Sequence, residues 1–268
     1  MESLNFKLVT FLLIFLFSCN EYQNLLKSDN NSEKFREAEN FYNSGDFKRA
    51  NRLFEDILPF YRGKPQAERL IFFHASSYYN LKMYYLSAAQ FENFIKSYPK
   101  SEKFEEAIFM TAKCYYMLSP IHSLDQKDTN TAIEKLQIFI NNYPNSTYVQ
   151  EANNLISELQ EKLEKKEFEI SKQYYTIRDY KAAIRSVDNF IGEFAGTKYR
   201  EEAMYYKFLS SYEIAVNSIQ SKKIERLKDL KQLHSSIIKY YPETIFLEQL
   251  SSIMLIVEKE INTFAQIN

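Results

Sequence analysis

Phe94-Ile95-Lys96-Ser97-Tyr98-Pro99-Lys100-Ser101 and Phe139-Ile140-Asn141-Asn142-Tyr143-Pro144-Asn145-Ser146 are two copies of one phrase. Two more follow, Phe190-Ile191-Gly192-Glu193-Phe194-Ala195-Gly196-Thr197 and Ile237-Ile238-Lys239-Tyr240-Tyr241-Pro242-Glu243-Thr244, and a degenerate copy, Ile57-Leu58-Pro59-Phe60-Tyr61, comes first. Each reads as an apolar pair closing one helix, a proline that stops it, and a Ser or Thr suited to N-cap the next. Glu105-Glu106-Ala107 and Glu201-Glu202-Ala203 then set carboxylates in opening turns, where the helix dipole favours them. Successive copies start 37, 45, 51 and 47 residues apart, which are periods of helical hairpins.

Inside each period a second pattern is legible. The first unit places Ala38, Phe41, Gly45, Phe47, Ala50 and Phe54 where a tetratricopeptide repeat wants small, aromatic, Gly, aromatic, small and aromatic residues. The second has Ala75, Tyr78, Tyr84, Ser87, Phe91 and Pro99; the third Ala112, Tyr115, Ala132, Leu136 and Pro144; the fourth Ser171, Tyr174, Tyr180, Ala183 and Val187. The fifth keeps chiefly its closing apolar pair and Pro242. Small residues let paired helices approach closely and aromatics fill the wedge between hairpins, so the pattern specifies an all-α tetratricopeptide superhelix. Five hairpins are expected, over residues 33–66, 67–101, 102–147, 148–198 and 199–244, in one solenoid domain spanning 33–268. A capping helix over 245–264 follows from the spacing of Phe246, Leu250, Ile253, Met254, Val257 and Ile261.

Composition agrees. Gly 4 and Pro 6 together make about 4% of 268 residues, where average usage is about 12%. Turns are too scarce for a β-sandwich, a barrel or a doubly wound α/β fold, and no glycine cluster can cradle a phosphate. A net charge of −1 removes the electrostatic drive toward nucleic acid.

Lys7 precedes an apolar run from Leu8 to Phe17, too short for a bilayer span of about 20 residues but right for a signal-peptide core. The run ends Leu16-Phe17-Ser18-Cys19, similar to the lipobox at which bacterial lipoproteins are acylated on cysteine and cut before it. Residues 1–18 are thus expected to be a lipoprotein signal peptide, Cys19 the lipidated residue, and 19–32 a flexible tether. The other reading, a buried N-terminal helix with Cys19 as an ordinary apolar residue, lacks an amphipathic pattern to support it.

Chemistry-bearing constellations are absent. His74, His122 and His234 form no metal-ligand spacing, no serine lies in GxSxG, and Cys114 sits within a helix where packing is its expected role. The reading is therefore non-enzymatic, with no metal or cofactor beyond the covalent lipid (palmitate-type acyl chains) on Cys19. What survives is recognition in a concave groove. Tetratricopeptide spacing points Phe35, Glu39, Tyr42, Phe72, Ser76 and Tyr79 into the groove of the first two repeats; hairpin packing is the alternative role for the same residues.

The lipobox, the short tether and the five repeats together resemble the BamD family, the lipoproteins of the outer-membrane β-barrel assembly (BAM) machine. Ser119-Pro120 through Leu124-Asp125-Gln126, then Asp128-Thr129 and Ala132, is similar to the loop inserted in the third repeat of that family. Tyr212-Glu213-Ile214-Ala215-Val216-Asn217-Ser218 resembles the fifth-repeat helix of Bacteroidetes members. The resemblance implies a scaffold anchored in the outer membrane and facing the periplasm. Its partners would be the POTRA domains of a BamA-type barrel protein, docked by the carboxy-terminal repeats, other assembly subunits, and unfolded outer-membrane proteins recognised by the amino-terminal repeats. Two other functions fit a tetratricopeptide lipoprotein, glycan uptake and coordination of cell-wall synthesis; the missing Trp weighs against the first.

Overall fold

A computed structural model of the chain describes residues 21–267, with side chains through 264. Among them all regular structure is helical: α1 (21–27), α2 (Asn31–Asn43), α3 (Phe47–Tyr61), α4 (Ala67–Asn80), α5 (Tyr84–Ser97), α6 (Phe104–Leu118), α7 (Lys127–Asn142), α8 (Val149–Thr176), α9 (Tyr180–Glu193), α10 (Arg200–Val216), α11 (Gln220–Tyr240) and α12 (Leu247–Ile267). Consecutive helices from α2 to α11 pair as hairpins of the tetratricopeptide type. The small residues that define the pattern are the buried ones: Ala38, Ala50, Ala75, Ala112, Ala132 and Ala183 expose no surface, and Ser87 and Ser171 almost none. Ser87 Oγ donates to the Ala75 carbonyl across the α4/α5 pair at 2.9 Å, a contact only a short side chain on α5 permits.

The repeated phrase is where each second helix ends. Phe94, Phe139, Phe190 and Ile237 are core residues. The residue four later, Tyr98, Tyr143, Phe194 or Tyr241, leaves the helix with φ between −132° and −113° and ψ between 58° and 68°. Residues preceding proline are driven out of the α region by the ring, which accounts for three of the four. Phe194 adopts the same geometry ahead of Ala195, held by the ring contact between Phe190 and Phe194 at 5.5 Å that also occurs at Phe94–Tyr98 and Phe139–Tyr143. Pro59 differs from its counterparts: it lies inside α3, which runs two residues past it.

The Ser and Thr of the phrase do not N-cap the next helix. Ser101, Ser146, Thr197 and Thr244 accept instead from the amide two residues on, closing the turn before the helix begins. Ser101 Oγ also donates to Glu68 of α4 at 2.5 Å, and Ser146 to Glu105 of α6, tying each turn back to the start of the preceding hairpin. Side-chain caps are found at three other helix starts, where Asn30, Asp46 and Asp179 accept from the third amide of α2, α3 and α9.

The single solenoid domain expected over 33–268 divides into two compact units. One is the chain through Pro120 with Asp125–Leu159; the other is Ile121–Leu124 with Gln160 onward. The boundary falls within α8, at 28 residues the longest helix, which absorbs the 51-residue spacing between the third and fourth copies of the phrase. In the first unit, three buried clusters follow one another: Ala38, Leu53, Phe54 and Leu70; Phe72, Phe91, Phe94 and Cys114; Phe109, Leu136, Phe139 and Leu159. In the second, Phe168, Val187 and Phe190 form one cluster, and Phe208, Leu230, Leu250 and Val257 of α10 to α12 another.

Residues 21–32 are not simply a flexible tether. α1 packs Tyr22, Leu25 and Leu26 against the first cluster, and Lys34 of α2 reaches back to the Leu26 carbonyl at 2.9 Å and to Asp56 at 2.5 Å. Cys19 and the signal segment lie outside the described residues.

Three of the turns inside hairpins share one backbone motif. Gly45, Lys82 and Arg178 take left-handed φ of 83°, 60° and 65°, and each turn closes with the paired amide-to-carbonyl bonds of a Schellman motif. Only the first of these is glycine, so Lys82 and Arg178 carry a strain of about 1 kcal/mol or more. Lys82→Gly is expected to raise unfolding stability by about 1 kcal/mol in urea titration; no change or a loss would show that the lysine stem makes a compensating contact.

Candidate functional site

The first helices of the first three hairpins, α2, α4 and α6, enclose a cleft of about 620 Å³ in the first unit. Its floor is aromatic: Tyr42 from α2, Phe72, Phe73 and Tyr79 from α4. Successive residues on α4 three and four apart share a face, so Arg69, Phe72, Phe73, Ser76, Tyr79 and Asn80 form one stripe along it. The Tyr42 and Phe73 rings lie 4.9 Å apart, joining the α2 and α4 parts of the floor.

Two cations stand on this floor. The Arg69 guanidinium is 5.5 Å from the Phe73 ring centre and its Nε is 2.7 Å from Glu39. Lys103 Nζ is 5.5 Å from the Phe72 ring and 2.8 Å from Glu106. Both side chains remain more than half exposed, so their charge reaches anything entering the cleft. The bond to Glu106 holds the Lys103 ammonium above the usual lysine range. Burial pushes the Tyr79 phenol up to about 12, and burial also raises Tyr42 and, against the pull of Arg69, the carboxyl of Glu39. The phenols therefore stay neutral and able to donate. Among the described residues the cleft sets no nucleophile beside a base, and no three His, Cys, Asp or Glu side chains gather as a metal site. Apolar rings, neutral hydroxyls and paired but accessible charges are the equipment of peptide recognition.

Of the six groove residues expected from spacing, Tyr42, Phe72, Ser76 and Tyr79 line the cleft. Glu39 is one step off it, reaching the cleft through its ion pair with Arg69. Phe35 is not in it: its ring packs on Tyr61 at 5.3 Å, within the first hairpin's core. Arg69, Phe73, Lys103 and Glu106 were missed. Helical spacing reaches Phe73 and Arg69 in steps of three back from Ser76 and Phe72 on α4, and Glu106 lies on α6 with Lys103 three residues before it, just ahead of that helix.

His74 faces away from the cleft. It is buried against Tyr78, with ring centres 4.7 Å apart, and neither ring nitrogen has a hydrogen-bond partner. Burial drives its pKa down to about 4. Cys114 packs in the core, as its helix position suggested; its thiol donates to Ser87 at 3.3 Å and is pushed by burial up to about 11.

Compared with known families, the chain matches the model described as outer membrane lipoprotein, YfiO, over residues 27–185 and again over 170–265. It belongs to the YfiO family. The matches together take in both units and every helix of the cleft, and they place the chain among outer-membrane lipoproteins. No helix among the described residues is long and apolar enough to cross a membrane. Among solved structures the chain is similar to the "TPR2AB-domain:pHSP90-complex of yeast Sti1", at 12% identity and a TM-score of 0.41, over 85% of this chain and 98% of that one. No curated protein matches it.

A histidine neutral in the fold and titrating near 6.5 when unfolded lets the unfolded state bind more protons between those values, so stability falls as pH drops from about 6.5 toward 4. His74→Leu is expected to abolish up to about 3 kcal/mol of that loss, read from urea melts at pH 7 and pH 4.5. An unchanged pH dependence would mean that His74 is protonated in the native state.

Proposed function

We propose that this YfiO-family chain is the lipid-anchored, non-enzymatic scaffold of the machinery that folds and inserts outer-membrane β-barrel proteins. Acylated at Cys19 and facing the periplasm, it holds unfolded barrel substrates at the cleft of the first unit. Its second unit docks the POTRA domains of a BamA-type barrel protein. Membership of an outer-membrane lipoprotein family supports the location, and the cation-bearing aromatic cleft is the observation that carries the binding role. An unfolded strand offers alternating aromatic side chains and free carbonyls. The rings of Phe72, Phe73 and Tyr79 suit the first, and the hydroxyls and cations suit the second and a terminal carboxylate. For the second unit the support is α12. A solenoid's capping helix needs a polar outer face, yet Leu255 and Ile256 stand exposed in the middle of this one.

A photo-crosslinking amino acid in place of Tyr79 is expected to capture unfolded outer-membrane proteins in cells. Adding Arg69→Glu and Lys103→Glu should cut that capture about fivefold or more, equivalent to about 1 kcal/mol, while leaving the thermal melt and the association with the POTRA-bearing partner intact. Capture of a glycan transporter or a peptidoglycan enzyme instead would transfer the function to those systems.

A further inference from the structure

Unit one has an edge that combines exposed apolar side chains, free cations and the point where the chain leaves toward Cys19. Tyr22 of α1 lies edge-on to Phe41 with ring centres 5.7 Å apart, its hydroxyl donates to the Arg49 carbonyl at 3.5 Å, and the Arg49 guanidinium sits 5.5 Å and 5.4 Å from the two rings. Phe41 is near the end of α2 and Arg49 near the start of α3, so Glu21 and Tyr22 are pinned beside the turn joining those helices. Cys19 is two residues before Glu21, and two residues of extended chain reach at most about 7 Å. An acyl chain on Cys19 therefore enters lipid next to that turn.

Antiparallel hairpins bring the α4–α5 turn and the α6–α7 connection to the same edge, and Tyr85 at the start of α5 donates to Asp128 at the start of α7 at 2.5 Å along it. Among the described residues this unit exposes six large hydrophobic side chains, and four of them, Met83, Tyr85, Leu86 and Met117, lie here. Lys48, Lys82 and Lys127 stand on the same edge and make no ion pair among the described residues; of the acidic residues beside them, Asp46 pairs with Arg49 and Asp128 accepts from Tyr85, while Glu21 is exposed. Asp125 is bonded to the Lys127 amide. Lys82 holds a cation at the tip of its turn in a left-handed conformation that glycine would adopt without strain. Apolar side chains interleaved with lysines are the composition of a surface that sits in the headgroup region of a phospholipid leaflet.

We propose that this edge rests on the membrane: Met83, Tyr85 and Leu86 enter the headgroup boundary and Lys48, Lys82 and Lys127 meet lipid phosphates. The helices of the unit then run away from the bilayer, and the cleft opens sideways along it, with Tyr79 and Asn80 at its membrane end. The inference rests on the lipidation of Cys19 proposed above.

The test uses the acylated full chain in vesicles of phosphatidylethanolamine and phosphatidylglycerol, with an environment-sensitive fluorophore on Met83→Cys, Leu86→Cys or, at the opposite edge, Lys100→Cys. Cys114 is buried and takes no label. Variants that melt below the parent are replaced by Tyr85→Cys. Labels at 83 and 86 are expected to shift to the blue and to be quenched by doxyl lipid several-fold more than the label at 100. If the protein floats with the vesicles but all three labels report water, the edge contact is wrong and the anchor stands. If the protein carries no acyl chain and does not float, the anchor reading fails and the orientation falls with it.

Discussion

Close approach of paired helices at small side chains is the constraint on which the rest of this structure depends. Ala38 and Ala50 share one buried cluster, Ala112 and Ala132 another, and Ser171 of α8 bonds Ser186 of α9 at 2.8 Å, so little side-chain bulk separates the paired helices and the aromatic rings are displaced to the flanks. Those rings then fill the wedges between one hairpin and the next: Phe109 stacks on Tyr148 at 4.7 Å, Phe168 on Tyr199 at 5.1 Å and Tyr205 on Phe246 at 4.0 Å. Ser87 makes the dependence concrete. Its hydroxyl bonds the backbone of α4 and receives the Cys114 thiol of α6, so one short polar side chain links three helices. A larger residue there would force α4 and α5 apart and widen the cleft that α2, α4 and α6 enclose.

Much of this was legible because the signals are steric and local. Proline after an aromatic marks a helix end whatever surrounds it, and a small residue recurring at a fixed distance from it marks a helix crossing; the hairpins follow from those two facts. The misreadings have equally local causes. Ser and Thr bond an amide two residues ahead as readily as they cap a helix, and nothing in the phrase distinguishes the two, so the expected caps at Ser101, Ser146, Thr197 and Thr244 fall three residues before the first residues of the helices. The polar residues around Tyr22, Leu25 and Leu26 concealed that α1 has an apolar face with a core to meet.

The cleft shows the same division. Tyr42, Phe72, Ser76 and Tyr79 were readable because spacing alone selects a helix face, whereas Phe35 occupies an equivalent register but has Tyr61 beside it, and that neighbour is a tertiary fact. Arg69 and Lys103 are exposed charges, and what the sequence does not display is that each lies over an aromatic ring. Burial keeps the phenols of this surface neutral, while its cations stay accessible, so it can accommodate an apolar side chain and a carbonyl or carboxylate at adjacent points without any reacting group.

The scaffold role proposed for this chain is defined by what it holds, and affinity isolation of the tagged protein from membranes in mild detergent, with every co-purifying chain identified by mass spectrometry, tests that most directly. A stoichiometric outer-membrane barrel protein bearing POTRA domains is the result this account predicts. Recovery of a glycan transporter or a wall-synthesis enzyme in its place, with no such barrel, would contradict it and leave only the fold and the family standing.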